Sequence, residues 1–238
     1  MKKINTNNKK ITATTLTALF VSLFLLASLA GTQFICKAYA EGPYDWPMFG
    51  HDPQRSGYSE SPAPNTNQTL WTYTIGMGSG SHPAVADGKV YVASWDGNLY
   101  CFDDAAGTQT WNYSTGSALL CNPAVADGKA YVGAVDANIY CIDAVTGTQV
   151  WNYTTGGSVG SGPVVADGKL YVGSDDGKLY CLNADDGAYE WDFTTGDSVL
   201  FAAVADGKVY FGSYDNNVYC CLLYTSDAAD EEDSVDLG

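Results

Sequence analysis

Paired carboxylates are the first candidates for chemistry in this sequence. Asp175-Asp176-Gly177 and Asp185-Asp186-Gly187 offer the oxygen ligands that Ca²⁺ prefers. A calcium-binding loop needs further acidic residues at fixed spacing, and neither segment has them. We therefore interpret both segments as hairpin turns. The sequence also lacks a phosphate-binding loop, a zinc-type spacing of Cys and His, and an order of Ser, His and Asp suited to nucleophilic catalysis.

The cysteines are a second source of reactive groups. Cys101, Cys141 and Cys181 recur at intervals of 40 residues, each directly after a tyrosine, and Cys220 occupies the corresponding position one repeat later. One position repeated along the chain predicts small buried side chains rather than disulfide partners. Cys121 lies outside this pattern.

These cysteines belong to a repeat of about 40 residues. Within each unit, apolar and polar residues alternate with period two, which is typical of strands. A recurring Ala-Asp-Gly-Lys tetrad supplies the Asp-Gly pair that favours two-residue hairpin turns. The markers of the repeat are Trp71, Trp111, Trp151 and Trp191, with tetrads that begin at Ala86, Ala126, Ala166 and Ala205.

Each unit predicts four short antiparallel strands. In the second unit we expect strands at residues 123–126, 129–133, 138–143 and 148–154, separated by tight turns. A four-stranded unit of about 40 residues is one blade of a β-propeller. The predicted fold is therefore all-β, an incomplete propeller of about 3.5 blades from a ring of about seven or eight. We expect a leading strand at residues 70–74, which would pair with the last blade of a complete ring and close it.

Three segments share the motif Asp-x-x-x-Gly-x-x-x-Trp, at residues 103–111, 143–151 and 183–191, although the third begins with Asn183. The motif resembles the tryptophan-docking repeat of the pyrroloquinoline-quinone (PQQ) propeller superfamily, over residues 45–220. An indole in this place can stack on a peptide plane of the next blade and donate its N–H to a carbonyl. The residues that would join neighbouring blades are Trp71, Trp111, Trp151, Trp191, Gly107, Gly147 and Gly187.

The resemblance raises an enzymatic alternative, because relatives with quinone cofactors are alcohol and sugar dehydrogenases. In the alcohol dehydrogenases, PQQ lies beside a vicinal disulfide, and Ca²⁺ is held by carboxylate and amide oxygens. Cys220-Cys221 is an apparent vicinal pair, but Cys221 belongs to a segment that does not follow the repeat. The segments leading into the blades contain only His82 and Asp197 as ionisable groups. We predict no catalytic residue, metal ligand or cofactor, with PQQ and Ca²⁺ expected only under the dehydrogenase alternative.

The first 40 residues have the layout of a secretory signal. Basic residues come first, an apolar run follows, and Ala38-Tyr39-Ala40 precedes Glu41. An uncleaved anchor is the alternative, because residues 11–35 are long enough to span a bilayer; lipidation at Cys36 is a weaker third option. The predicted divisions are a signal at 1–40, a lead-in segment at 41–65 and propeller repeats at 66–220.

Residues 221–238 depart from the repeat in mid-strand. The string from Cys221 to Glu231 resembles the translation of a transposase-type sequencing adapter. We interpret residues 221–238 as a non-native tail and expect the natural protein to continue with further blades. A disordered acidic tail is the alternative reading of the same composition.

The charge balance limits the partners. With 27 acidic residues against 11 basic ones, the formal net charge is −16, which excludes nucleic-acid binding through clustered Lys and Arg. We expect a secreted or cell-surface binding and scaffold module whose ligand is a protein, peptide or carbohydrate. Trp95 and Tyr214 stand where other units have Val135 and Asp175, so they are candidate contacts. The alternatives are a fragment of a PQQ-dependent dehydrogenase and a propeller similar to the outer-membrane protein assembly factor.

Two further expectations follow from export. Sequons at Asn67, Asn112 and Asn152 are candidate sites of N-glycosylation. The mature chain has no predicted membrane span unless the signal stays uncleaved.

Overall fold

The computed structural model describes residues 45–58 and 65–222. The predicted signal at 1–40, and residues 223–238 of the predicted tail, lie outside the described residues. Every element in the described part is a strand. No helix there is long and apolar enough to cross a membrane.

Fifteen strands in this part form four antiparallel sheets, and each sheet is a meander in chain order. The first sheet contains β1 (Ala84–Ala86), β2 (Lys89–Ala93), β3 (Asn98–Asp103) and β4 (Gln109–Ser114). The second contains β5 (Ala124–Ala126), β6 (Lys129–Gly133), β7 (Asn138–Asp143) and β8 (Gln149–Thr154). The third contains β9 (Val164–Ala166), β10 (Lys169–Gly173), β11 (Lys178–Asn183) and β12 (Tyr189–Thr194). The fourth contains β13 (Val199–Ala205), β14 (Lys208–Ser213) and β15 (Val218–Leu222).

The sheets are blades arranged with their first strands as neighbours. We call β1, β5, β9 and β13 the inner strands. Three four-stranded blades and one three-stranded blade confirm the predicted all-β, incomplete propeller. In the second unit, each predicted strand agrees with the observed one to within one residue.

Two-residue turns join the first and second strands of each blade. Asp127 has φ +49° and Gly128 has φ +71°, and the Asp-Gly pairs of the other three blades have closely similar values. Two consecutive positive φ values define the hairpin turn whose twist matches that of the flanking strands. Aspartate and glycine are residue types that adopt this conformation at low cost.

The predicted leading strand at residues 70–74 is not a strand in the structure. Its side chains contact the first blade instead. The Trp71 indole N–H donates to the carbonyl of Asp104 at 2.8 Å, and the Tyr73 hydroxyl donates to Gln109 at 2.6 Å. No strand of the described residues pairs with this segment, and its pairing with the last blade of a complete ring stays a prediction.

One carbonyl group joins the first blade to the second. The carbonyl oxygen of Ala144, just after β7, accepts hydrogen bonds from Trp111 Nε1 at 3.2 Å and from the Tyr91 hydroxyl at 3.3 Å. Between the second and third blades, the same donors to Ala184 are Trp151 at 3.1 Å and Tyr131 at 3.0 Å. Each carbonyl therefore satisfies two buried donors that come from a neighbouring blade.

Glycine is required opposite each of these indoles. Gly147 has φ +72°, and a Cβ added to it would lie 2.7 Å from the Trp111 ring. Gly187 has the same relation to Trp151. The indole therefore packs directly on the backbone of the next blade.

The repeated cysteines pack on the same tryptophans from within their own blades. Cys101 pairs with Trp111 across β3 and β4, and Cys141 pairs with Trp151 across β7 and β8. Both cysteines are fully buried free thiols, as is Cys181. Burial raises the pKa of Cys141 to about 12. These thiols are therefore small core residues with little thiolate at neutral pH.

Two glycines with the same backbone conformation allow a test of this junction. Gly128, at φ +71°, has no atom within 4 Å of an added Cβ. We expect Gly128→Ala to lower the free energy of unfolding by about 1 kcal/mol, the cost of a left-handed alanine. Gly147→Ala should cost about 3 kcal/mol, because the Trp111 ring must also move. Urea denaturation of both variants measures the difference, and equal losses would contradict the packing role of Gly147.

Candidate functional site

The strand connections divide between two faces. The loop face contains the connections between blades and the loops between the second and third strands. Backbone hydrogen bonds join them, as from Trp95 N–H to Gly78 O at 3.2 Å and from Tyr214 N–H to Ser198 O at 3.0 Å. The turn face contains the Asp-Gly turns and the turns between the third and fourth strands, joined as by Ala144 N–H to Gly128 O at 2.9 Å.

One aspartate in each blade, which we call the framework aspartate, joins parts of the loop face by hydrogen bonds. The Asp96 carboxylate accepts hydrogen bonds from the Tyr100 hydroxyl at 2.8 Å and from Gly76 N–H at 3.1 Å. The equivalent aspartate–tyrosine pairs are Asp136–Tyr140, Asp176–Tyr180 and Asp215–Tyr219. From the sequence, these tyrosines were noted only as the residues that precede the repeated cysteines. The recurring Asp-x-x-x-Tyr spacing is the signal that identifies the pairs.

Hydrogen bonds lower the pKa of two of these carboxylates, Asp96 and Asp215. The Tyr219 hydroxyl, followed by the N–H groups of Gly196 and Asn217, lowers the pKa of Asp215 to about 2. Burial alone would raise the pKa of Asp96, but hydrogen bonds from Asn98 and Tyr100 outweigh it and lower that pKa. Asp96 and Asp215 are therefore charged acceptors in the loop framework at neutral pH.

The residue before each framework aspartate changes from blade to blade. These residues are Trp95, Val135, Asp175 and Tyr214, and all four are exposed. Each one donates its backbone N–H to the preceding connection between blades. The main chain is thus held in place while the side chain varies. Trp95 and Tyr214, the contacts predicted from the sequence, lie on this loop face.

Residues 45–58, which we call the axial segment, run along the inner strands. Backbone hydrogen bonds tie the segment to three of them, and Met48 is buried among residues of β5 and β9. The bonded pairs are Trp46 with Val85 in β1 (2.6 and 2.7 Å), Pro47 with Val125 in β5 (2.7 Å) and Pro53 with Val204 in β13 (2.7 Å). The segment satisfies backbone groups that would otherwise be open at the inner edges of the blades.

Arg55 fixes the end of the axial segment. Its guanidinium donates to the carbonyl oxygens of Ala202, Phe49 and Gly162. It also lies 5.0 Å from the centre of the Phe49 ring and 5.7 Å from that of Phe201. Burial lowers the pKa of Arg55 to about 10, so the group stays charged at neutral pH.

His82 and Asp197, the ionisable groups of the segments leading into the blades, both form hydrogen bonds within the protein. The His82 ring nitrogen Nδ1 lies 3.2 Å from Asn122 Oδ1, and the backbone N–H of His82 donates to the same oxygen at 2.6 Å. The Asp197 carboxylate accepts from the backbone N–H of Ser198 at 2.7 Å. No hydrogen bond or ion pair joins these two described residues, so they do not form an acid–base pair.

The arrangement of blades agrees with comparisons to known proteins. The sequence model of a family described as outer membrane protein assembly factor BamB matches residues 60–159 and 136–230, more than half of the chain. The chain belongs to this family of PQQ-like β-propellers. A search of curated protein sequences finds no match.

Solved structures with a similar fold include BamB, a quinohemoprotein alcohol dehydrogenase and a computationally designed protein. BamB from Moraxella catarrhalis superposes with a TM-score of 0.59 at 22% identity, over 65% of this chain and 49% of that chain. A quinohemoprotein alcohol dehydrogenase from Pseudomonas putida HK5 gives 0.64 at 22% identity, over 72% and 34%. The computationally designed Ika4 protein gives 0.62 at 16% identity, over 67% and 100%. The chain thus spans about half of BamB and a third of the dehydrogenase, and these likenesses support the fold alone.

The described residues of this PQQ-like propeller do not fit a PQQ and Ca²⁺ site. In residues 45–58 and 65–222, no group of three or more His, Cys, Asp or Glu side chains could hold a metal ion. Cys220 is exposed, whereas Cys221, its neighbour in β15, packs against the core. Adjacent residues of a strand point to opposite faces, and both are free thiols. The inner edges of the blades are covered by the axial segment.

Two of the predicted sequons lie on outer strands. Asn112 in β4 and Asn152 in β8 are exposed, as is Asn67 before the first blade. Asn112 and Asn152 each accept a hydrogen bond at 3.0 Å from a glutamine three residues earlier. Glycosylation of the three asparagines stays a prediction.

The role of Arg55 can be tested by truncation. Arg55→Ala leaves three carbonyls without their donor, so we expect the free energy of unfolding to fall by about 2 kcal/mol. Arg55→Lys should recover only part of this, because an ammonium lacks the planar fork of the guanidinium. The exposed neighbour Gln54→Ala should change stability by less than about 0.5 kcal/mol. If Arg55→Ala and Gln54→Ala unfold at the same urea concentration, the anchoring role is wrong.

The lowered pKa of Asp215 predicts an acid-sensitive contribution to stability. Its ordinary pKa is 3.8 and its folded pKa is about 2, so the unfolded chain binds more protons between these values. The contribution is complete above pH 4 and is lost as the pH falls towards 2. Asp215→Asn should therefore be less stable than wild type at pH 7, with the gap closing between pH 4 and 2. Thermal unfolding across this range measures the gap, and Asp206→Asn on the turn face is the control.

Proposed function

We propose that this PQQ-like propeller is an extracytoplasmic binding and scaffold module without catalysis. The observation that carries the proposal is the axial segment. The segment forms main-chain hydrogen bonds with the inner strands, and Arg55 anchors its end through three hydrogen bonds to carbonyl groups. A cofactor in a propeller channel needs open space between the inner strands, and here the chain's own backbone lies there.

The loop face supports a binding role. Its main chain is fixed by the aspartate–tyrosine pairs and by backbone hydrogen bonds. Exposed aromatic residues on a rigid base lose little conformational entropy when they bind, which is why such residues dominate interface energetics. Trp95 and Tyr214 meet this description, with 47% and 64% of their surface exposed.

The proposed location outside the cytoplasm has two supports. The first 40 residues have the composition of a secretory signal, and the matching family is described as an outer membrane protein assembly factor. The location is also compatible with the free thiols of the core, because Cys101, Cys121, Cys141 and Cys181 are all buried and thereby protected in an oxidising compartment.

A PQQ-dependent dehydrogenase is the second candidate, favoured by the likeness to the quinohemoprotein alcohol dehydrogenase. The decisive experiment adds PQQ and Ca²⁺ to the purified full-length protein, with a known quinoprotein dehydrogenase in parallel. We expect no saturable change in PQQ absorbance and no reduction of a redox dye with alcohols or aldoses. Saturable PQQ binding with substrate-dependent dye reduction would overturn the non-catalytic proposal.

An outer-membrane assembly role is the third candidate, favoured by the description of the family. The same protein can be expressed in a bacterium that lacks its own BamB. Recovery of outer-membrane protein levels would assign this scaffold to that machinery. Unchanged levels, with the protein folded and exported, would direct the search to other partners.

A further inference from the structure

The lysines of the repeat lie on one face of this propeller, whereas aspartates lie on both faces. Four lysines of the repeat follow the Asp-Gly turns and lie on the turn face: Lys89, Lys129, Lys169 and Lys208. The described loops of the loop face contain aspartates but no Lys or Arg. The aspartates are Asp96, Asp136, Asp175, Asp176, Asp197 and Asp215.

The cations nearest to the loop face are already engaged. Lys178 begins β11 and forms an ion pair with Asp192 at 3.2 Å. Arg55 donates to three carbonyl groups of the axial segment and inner blade edges. In the described part of the chain, no basic side chain is therefore available to neutralise Asp175 and Asp197, both of which are exposed.

Exposed apolar side chains accompany these carboxylates on the loop face. Tyr214 and Met77 have more than half of their surface exposed, at 64% and 56%, and four more are above two fifths. The four are Trp95, Leu120, Val135 and Phe201. Exposed indole and phenol faces attract Lys and Arg side chains, and carboxylates beside them add to this attraction.

A comparison of the blades distinguishes the residues that hold the loops in place from the residues that are available to bind a partner. Each loop between the second and third strands keeps its aspartate, which is occupied by a tyrosine hydroxyl. The preceding residue is Trp95, Val135, Asp175 or Tyr214 in successive blades. A segment that crosses the blades in order therefore meets an aromatic, an aliphatic, an acidic and an aromatic side chain, each on a main chain held by hydrogen bonds.

We infer that the loop face, from Trp95 across to Tyr214, is a docking site for an extended cationic peptide segment of a partner protein, with Lys or Arg interspersed among apolar residues. This inference rests on the proposed binding function and names its partner class. The carboxylates of Asp175 and Asp197 form ion pairs with the Lys and Arg side chains of the peptide. Trp95 and Tyr214 stack on the guanidinium planes or aliphatic stems of those side chains. An anionic polymer is excluded from this face by the same charges.

A pair of labelled peptides tests the inference on the full-length protein. The probe is a 12-residue peptide of alternating Arg and Leu, and its match has Glu in place of every Arg. We expect saturable binding of the Arg peptide by fluorescence anisotropy, weakened as salt rises from 50 to 300 mM, and no binding of the Glu peptide. Equal binding of both peptides, or none of either, would overturn the inference.

Because the whole chain is acidic, variants must separate the loop face from general attraction. Asp175→Asn with Asp197→Asn removes two charges from the loop face, and Asp127→Asn with Asp206→Asn removes two from the turn face. We expect the first pair to weaken binding of the Arg peptide about tenfold, and the second pair to change it less than about twofold. Equal losses would show attraction to net charge alone and would overturn the inference.

The aromatic contribution is measured in the same assay. Trp95→Ala with Tyr214→Ala should weaken binding by about tenfold and lower the thermal midpoint only slightly, because Tyr214 is exposed and only part of the Trp95 ring packs on the chain, against Gly80. Unchanged affinity in this variant would contradict the stacking role. If the peptides fail to bind while the protein also fails to bind PQQ, the partner class is wrong and the non-catalytic proposal stands. Saturable PQQ binding with substrate-dependent dye reduction overturns the non-catalytic proposal and, with it, the inference that rests on it.

Discussion

The structure depends on a single carbonyl group at each of its first two junctions between blades. Ala144 and Ala184 each accept an indole N–H and a phenol O–H from the neighbouring blade. A blade cannot bury its own apolar face, so its stability depends on a neighbour. Because both donors are buried, a shift of the junction would leave polar groups unsatisfied as well as apolar surface exposed. Glycine opposite the indole and cysteine beside it follow from the same packing.

This constraint explains which parts of the fold could be predicted. The Asp-Gly turns, the spacing of the tryptophans and the period-two strands are local, and the strands of the second blade were predicted to within one residue. The axial segment was missed as a structural element because its partners are distant in sequence. Arg55 donates to Ala202, 147 residues away. No local pattern encodes such a contact, although a guanidinium that becomes buried needs hydrogen-bond acceptors.

The candidate site was predicted only in part, for a related reason. Trp95 and Tyr214 were identified because they break the pattern of their repeat position. The framework aspartates were missed because they obey the pattern, and the sequence analysis gave residues such as Asp176 only the role of a turn. Their hydroxyl partner is four residues away across a loop, and only the folded geometry shows that the Tyr180 side chain returns to the carboxylate. A constant polar pair in a repeat is a framework signal as informative as a constant tryptophan.

Side chains can vary more freely on the loop face of this propeller than at its centre or between its blades. At the centre, main-chain groups of the inner strands are bonded to the axial segment, and between blades the carbonyl acceptors are filled. A side chain that changes in either place disturbs hydrogen bonds it shares with a distant part of the chain. On the loop face the main chain is held by its own bonds and the side chain before each aspartate has none to lose. Differences between units can accumulate there without loss of stability, and a surface that varies on a constant frame is what recognition of a partner requires.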